Sequence, residues 1–200
     1  FASLFLVACA SNFNPKKNGK LLVVGDFKII GENVCNGIAR LNYDGSIDTT
    51  FESGDGFNDS VRLVRLQDDG RILVGGFFTK FNSKDINRVI RLNANGSLDE
   101  KFNIGSGANG SVYSMAVQSD HKILIGGSFT EFNGLIRNGI VRINSDGSID
   151  NSINFGTGAN GSILDIAIQE DYKIILGGGF TTFDGKEKNY IAQLHGGIIE

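Results

Sequence analysis

A β-propeller, an all-β array of repeated four-stranded blades, is the fold this sequence predicts, and three observations predict it. A phenylalanine-anchored phrase recurs at an unbroken 51-residue period, each period carries four turn signals, and no stretch holds apolar residues at helical spacing long enough for a helix. The period is read from Phe27, Phe78, Phe129 and Phe180, which close the phrases KLLVVGDF, RILVGGFF, KILIGGSF and KIILGGGF. Residues 61–111 and 112–162 align without a gap and share 24 of 51 positions, the mark of duplicated units of one shape.

The third unit shows each element in order. Ser111–Gln118 reads as the first strand, followed by a turn at Asp120-His121 that answers Asp69-Gly70 and Asn18-Gly19. Ile123–Phe129 is the second, a continuous apolar run that predicts burial on both faces and so an inner position in a layered array. Its Gly126-Gly127 pair lets another backbone or ring come close, and no Lys-Ser/Thr or helix follows to make it a phosphate loop. A turn at Asn133-Gly134, matched by Asp184-Gly185, leads to the third strand, Gly139–Asn144. Asp146-Gly147, with Asp44-Gly45 and Asn95-Gly96, is the next turn. The alternating Ile149, Ile153 and Phe155 (Leu98, Phe102 and Ile104 one period earlier) then predict a half-wet fourth strand at the outer edge. Asn160-Gly161, with Asn109-Gly110, closes the unit as a fourth turn, because Asn-Gly and Asp-Gly accept positive φ at low cost.

On this reading the whole chain, 1–200, is one propeller segment with blades at approximately 3–60, 61–111, 112–162 and 163–200. The last lacks its outer strand, because Glu200 aligns with Ile149, so about three and three-quarter blades are present. Closed propellers need four to eight blades, and an arc of a larger propeller, with adjoining blades outside this segment, is the expectation.

Composition narrows the function classes. Twenty-eight glycines and one proline suit a turn-dense β chain, and 15 phenylalanines with no tryptophan put aromatic packing on one residue type. The net charge of −3 comes from 19 basic and 22 acidic residues interspersed, leaving no basic stripe for nucleic acid. The longest apolar stretch, Leu4 to Ala10, is too short to span a bilayer. That stretch has two readings. Leu6-Val7-Ala8-Cys9 resembles a bacterial lipobox, which would make the chain a lipoprotein through Cys9. Ser3–Ala10 also aligns with Ser111–Gln118 as a first strand, given a six-residue insertion within Ser11–Lys20. No basic segment precedes the apolar run, which favours the strand. Cys9 and Cys35 match no zinc pattern, and unpaired thiols are the expectation.

Candidate chemistry is sparse. NSDGSID at 144–150 looks like part of a calcium loop, but position one would fall on Arg142, a cation where a carboxylate is required. A looser site using Asp146 and Asp150 has nothing further to support it. Arg40, Arg91 and Arg142 recur at the period, with Gln193 in the fourth unit, and could line a face for an anionic ligand. Asp48, Asp99 and Asp150 recur with them, so ion pairing is the favoured reading. His121 and His195 occupy different repeat positions, and His121, replacing a turn glycine, is expected to be exposed. Catalysis usually needs residues that break a repeat's symmetry, and those here (Cys9, Cys35, Lys84-Asp85) form no acid–base or nucleophile set. No catalytic residue, cofactor or metal site is assigned.

The order of phrases in DHKILIGGSFTEFNGLIRNGIVRINSDGSIDNSINFGTGANGS, 120–162, resembles the delta-60 repeat family, a bacterial β-propeller domain of unknown function. The resemblance extends over three repeats and most of a fourth. Kelch repeats share the double glycine and a period near fifty, but the absence of tryptophan weighs against them. The delta-60 resemblance implies a propeller in secreted or envelope-associated proteins, sometimes in phage structural proteins, and carries no catalytic residues to transfer. The resulting expectation is a non-catalytic, extracellular or envelope scaffold that binds a protein or carbohydrate through loops at one end of its blades. A structural part of a virion or envelope is the alternative, and a carbohydrate-active enzyme working in the channel a weaker one.

Overall fold

The computed structural model describes residues 19–195 and the backbone of 198–199. The first-strand and lipobox readings of the opening residues, Cys9 and the turn at Asn18 lie outside the described residues. Two compact units divide the chain, Phe1–Glu100 and Lys101–Glu200.

The first unit holds two repeats. In one, β1 (Leu21–Val24) pairs antiparallel with β4 (Ile38–Leu41), and β2 (Ile29–Ile30) with β3 (Asn33–Val34) in a separate short ribbon. In the other, β5 (Val61–Leu66), β6 (Ile72–Gly76) and β9 (Val89–Leu92) form a three-stranded sheet with β6 in the middle, and β7 (Lys80–Phe81) pairs with β8 (Lys84–Asp85). Leu22, Val24 and Ile38 of the first sheet pack with Val61, Val64, Ile72 and Val74 of the second. Phe57, on the connection between them, lies 4.4 Å from the Phe78 ring and 4.8 Å from Phe81, centroid to centroid. Phe78 is therefore a core residue that helps to weld these two repeats.

The second unit repeats the plan. β10 (Val112–Val117), β11 (Ile123–Gly127) and β14 (Ile140–Ile143) form one sheet, beside the ribbon of β12 (Glu131–Phe132) and β13 (Leu135–Ile136). The other repeat has β15 (Ile163–Ile168), β16 (Ile174–Gly178), the ribbon of β17 (Thr182–Phe183) and β18 (Lys186–Glu187), β19 (Ile191–His195) and β20 (Ile198–Ile199). Its sheet runs β15-β16-β19-β20. KILIGGSF is thus a central strand, with every residue of β11 buried, as its continuous apolar run predicts.

The glycine pair has two separate reasons. First strands carry a bulge between Val61 and Leu63, Val112 and Ser114, and Ile163 and Asp165. Opposite that bulge the backbones crowd, and a Cβ on Gly127 would sit 2.1 Å from the Ser111 carbonyl oxygen. A Cβ on Gly126 would instead strike Ile163 and Ile166 of the next repeat, at 2.8 and 2.9 Å.

The expected outer strand is absent in three of the four repeats. Only single bridges form, Leu41 to Ile47, Leu92 to Leu98 and Ile143 to Ile149. Beyond Ile149 the chain stops extending, because the Asp150 carboxylate accepts the Ser152 N–H and hydroxyl at 2.9 and 2.7 Å, folding the backbone locally. Gly156 and Gly158 then take φ of 59° and 72°, values that end a strand. Ile153 and Phe155 alternate because they turn into the core between repeats, Phe155 being buried there. In the fourth repeat, the two-residue β20 does pair with β19.

Three predicted turns hold. Asn133 and Gly134 have φ of 50° and 72°, and Gly147 and His121 are also at positive φ. The fourth does not: Asn109 and Asn160 are clamps, not turn residues. The Asn160 side-chain oxygen accepts the N–H groups of Thr181 and Thr182 at 2.8 and 2.9 Å, and its amide donates to the Thr181 hydroxyl. Asn109 does the same to Thr130 and Glu131, and Asn58 to Thr79 and Lys80. The connections between repeats are held from both sides as well. Asn138 donates to the Thr157 carbonyl, and the Thr157 N–H donates to Asp184 of the following ribbon. Asn36, Asp55, Gly56 and Asn82 build the equivalent seam in the first unit.

Candidate binding clefts

The Asn133-Gly134 turn forces β12 and β13 into a tight ribbon whose far strand carries Leu135 and Ile136 outward, 48% and 73% exposed. The same ribbon positions hold Lys84-Asp85 and Lys186-Glu187 in the second and fourth repeats, and Asn33-Val34 in the first. Below the third ribbon opens a cleft of about 300 Å³, walled by Ile136, Asn138, Asn151, Asn154 and Phe155, with Arg142 and Asp150 at its floor. A cleft of about 240 Å³ occupies the same place in the first repeat, lined by Val34, Ile38, Arg40, Asp48 and Phe51.

An arginine–aspartate ion pair lines each cleft, and the second repeat holds the equivalent pair. Arg142 Nε donates to Asp150 Oδ2 at 2.7 Å, Arg40 Nε to Asp48 Oδ2 at 2.6 Å, and Arg91 Nε to Asp99 Oδ2 at 2.8 Å. All three aspartates are buried, and Arg91 is buried with its partner. The periodic arginines are thus engaged in ion pairs. A second cation supports each aspartate: Lys20 Nζ at 2.6 Å from Asp48, Arg71 Nε at 3.7 Å from Asp99 and Lys122 Nζ at 3.1 Å from Asp150. Sequence reasoning missed these cations, although Lys20, Arg71 and Lys122 recur at the 51-residue period.

Hydrogen bonds from Lys20 and Thr50, joined by Arg40, hold the Asp48 carboxyl well below the usual carboxylate range against the opposing effect of burial. At Asp150 burial is the largest influence and raises the value, but hydrogen bonds from Ser152, Lys122 and Arg142 together outweigh it, and the net shift is strongly downward. A carboxylate so held stays ionised at neutral pH and is poorly suited to exchange protons with a substrate.

Asp146 and Asp150, weighed above as a loose calcium pair, are committed separately. Asp146 caps the Ser148 N–H and hydroxyl at 2.9 and 2.7 Å, while Asp150 is in the ion pair. Among the described residues no group of three or more His, Cys, Asp or Glu side chains is placed to hold a metal ion. Cys35 is a free, buried thiol lining the first cleft, and burial pushes its pKa up. His121 sits exposed in a turn and His195 exposed at the end of β19. Among the described residues, no helix is long and apolar enough to cross a membrane.

The family described as "Domain of unknown function (DUF5122) beta-propeller" matches residues 16–51, 67–102 and 118–152, just over half of the chain. Among solved structures, the chain is similar to the WD40 beta propeller domain of Doa1, with a TM-score of 0.56 at 17% identity. That likeness covers 86% of this chain and 46% of the Doa1 domain, so the chain spans about half of that propeller. A protein of unknown function from Bacteroides caccae aligns over 90% of this chain and 76% of its own, at 15% identity and a TM-score of 0.32. The extracellular domain of a candidate one-component system from B. thetaiotaomicron aligns over 87% of this chain and 25% of its own, at 13% identity and a TM-score of 0.38. No curated protein matches the sequence.

Proposed function

Because the chain belongs to the DUF5122 family of β-propeller domains, we propose that it is a non-catalytic scaffold that binds a partner through the ribbon ends and clefts of its repeats. One observation carries this reading. The residues that recur at the period are spent on the fold, whereas the ribbon tips differ from repeat to repeat and face solvent. Variable, exposed tips on a rigid repeated frame are where recognition is placed at low cost to stability. The third repeat is the foremost candidate, since Leu135 and Ile136 stand exposed at the rim of a cleft that also presents Asn138, Asn151 and Asn154. Apolar contact beside amide groups suits a protein loop or a carbohydrate. The setting is extracellular or envelope-associated, supported by the surface's richness in Asn, Ser and Gly and by the delta-60 resemblance.

The test replaces Leu135 with Lys and Ile136 with Asp, giving the third ribbon the tip of the second. Wild type and variant are compared on glycan arrays and on isolated bacterial envelope fractions. A ligand retained by the wild type and lost by the equally stable variant supports the reading. Turnover of any polysaccharide by the wild type, abolished by neutralising Asp48 or Asp150, overturns its non-catalytic part.

A further inference from the structure

The ribbons alternate in character along the chain. In the first and third repeats they expose aliphatic side chains, Ile29 and Val34 in one, Leu135 and Ile136 in the other. In the second and fourth, the far strands carry Lys84-Asp85 and Lys186-Glu187. The charges of the second repeat are tied across it. Lys84 Nζ lies 2.7 Å from Glu100 Oε2, which joins the ribbon to the residue that follows Asp99. One period to either side those two places are held by Asn33 and Thr49, and by Leu135 and Asn151. Asn33 and Thr49 line the first cleft and Asn151 lines the third. The Lys84–Glu100 pair therefore links the two walls between which the neighbouring repeats open. The arginines beside them differ accordingly, since the Arg91 side chain is 4% exposed against 16% for Arg40 and 13% for Arg142.

We propose that Lys84 and Glu100 strap the second repeat shut, leaving the first and third as two equivalent sites for one ligand, an aliphatic side chain with its flanking amides on a partner polypeptide. This rests on the binding-scaffold reading above and narrows it. Val34 and Ile136 share one repeat position and offer aliphatic surface at the rim, while Thr49 and Asn151 share another and offer neutral hydrogen-bonding groups. Apolar surface with a few polar groups is the usual lining of a ligand cleft. The aspartates within are already paired with arginine, and a neutral occupant leaves those pairs intact, whereas a charged one would have to compete with them. Cleft volumes of about 240 and 300 Å³ admit a side chain of leucine size with the peptide groups on either side. A sugar ring is met best by an open aromatic face, and neither cleft presents one. Phe155 is buried, and the Arg40 guanidinium lies over the Phe51 ring, 4.8 Å from its centroid.

The experiment follows the backbone amide signals of the chain by NMR while acetyl-leucine-methylamide is added, with the matching glutamate and lysine compounds and maltotriose as comparisons. The leucine compound is expected to shift the signals of Val34, Thr49, Ile136 and Asn151 and to leave Asp85 in place. Lys84→Leu combined with Glu100→Asn is expected to add a shift at Asp85. The same variant should speed hydrogen exchange at Arg91 Nε–H several-fold, toward the rates of Arg40 and Arg142. Leu135→Lys combined with Asn151→Glu is expected to abolish the shift at Ile136 and spare that at Val34. All four substituted positions are exposed, so both variants are expected to fold. A shift at Asp85 in the wild type, or unchanged exchange at Arg91 once the pair is removed, overturns the strap. Shifts at the clefts from maltotriose or the charged compounds, and none from the leucine compound, overturn the class of ligand and leave the binding-scaffold reading standing. No shift from any compound also overturns the proposal, while the envelope-fraction comparison above decides the wider reading.

Discussion

Removing the Arg91 guanidinium tests whether the periodic arginines are structural. In Arg91→Ala, Asp99 remains buried and loses its nearest cation, while Arg71 stays 3.7 Å away. Breaking a buried pair from one side costs about 3–5 kcal/mol, because the surviving charge is left poorly compensated. Arg71 allows partial relief, so the lower end, about 3 kcal/mol, is expected. For a chain of this size each kcal/mol moves Tm by roughly 2–4 °C, which gives a fall of about 6–12 °C by scanning calorimetry. Asp99→Ala and the double variant complete the cycle. The double variant is expected to be more stable than Arg91→Ala alone, since it removes the stranded charge. The reasoning is refuted if Arg91→Ala leaves Tm within a degree of wild type, or if the two single losses simply add.

Three further outcomes are expected. Gly127→Ala forces a Cβ against the Ser111 carbonyl and should cost about 1–3 kcal/mol by denaturant midpoint, whereas Ala at the open Gly177 should cost nothing. Asn109→Ala removes three hydrogen bonds at the start of the third repeat and should cost about 1–2 kcal/mol, seen also as faster amide exchange at Thr130 and Glu131. Because the folded-state pKa values of Asp48 and Asp150 are depressed, their contribution is complete above the unfolded carboxylate value near 3.9 and is lost as pH falls below it. Tm measured from pH 6 to pH 2.5 should therefore drop steeply only below about pH 4, and Asp48→Asn should flatten part of that drop.

The fold was legible where burial and period coincide. The continuous apolar runs named the central strands, and the recurrence of Arg40, Arg91 and Arg142 with Asp48, Asp99 and Asp150 named the ion pairs before their distances were known. The outer strand misled because alternation at Ile149, Ile153 and Phe155 reports which side chains are buried, not whether the backbone between them is paired. Asn160-Gly161 misled for a related reason. An Asn-Gly dipeptide suits a turn, but the asparagine's amide can also stitch together N–H groups about twenty residues away, and nothing local distinguishes the two uses. The clefts were not legible at all, since they arise from the space between a ribbon and the following connection. The contrast between Leu135-Ile136 and Lys84-Asp85 at equivalent positions was the available signal.

The seam between neighbouring repeats has a bearing on how such a gene can grow. Asn138 reaches forward to the Thr157 carbonyl, and Asp184 reaches back to the Thr157 N–H. Asn36, Asn87 and Asn138 recur at the first of these positions and Asn82, Asn133 and Asp184 at the second, so a 51-residue stretch cut anywhere within 36–184 carries one of each. An in-frame duplication joins two halves that already fit, and an in-frame deletion closes on a fit of the same kind. Unequal recombination can then change the number of repeats without a compensating substitution at the new junction, so array length is free to drift while the joint chemistry stays fixed.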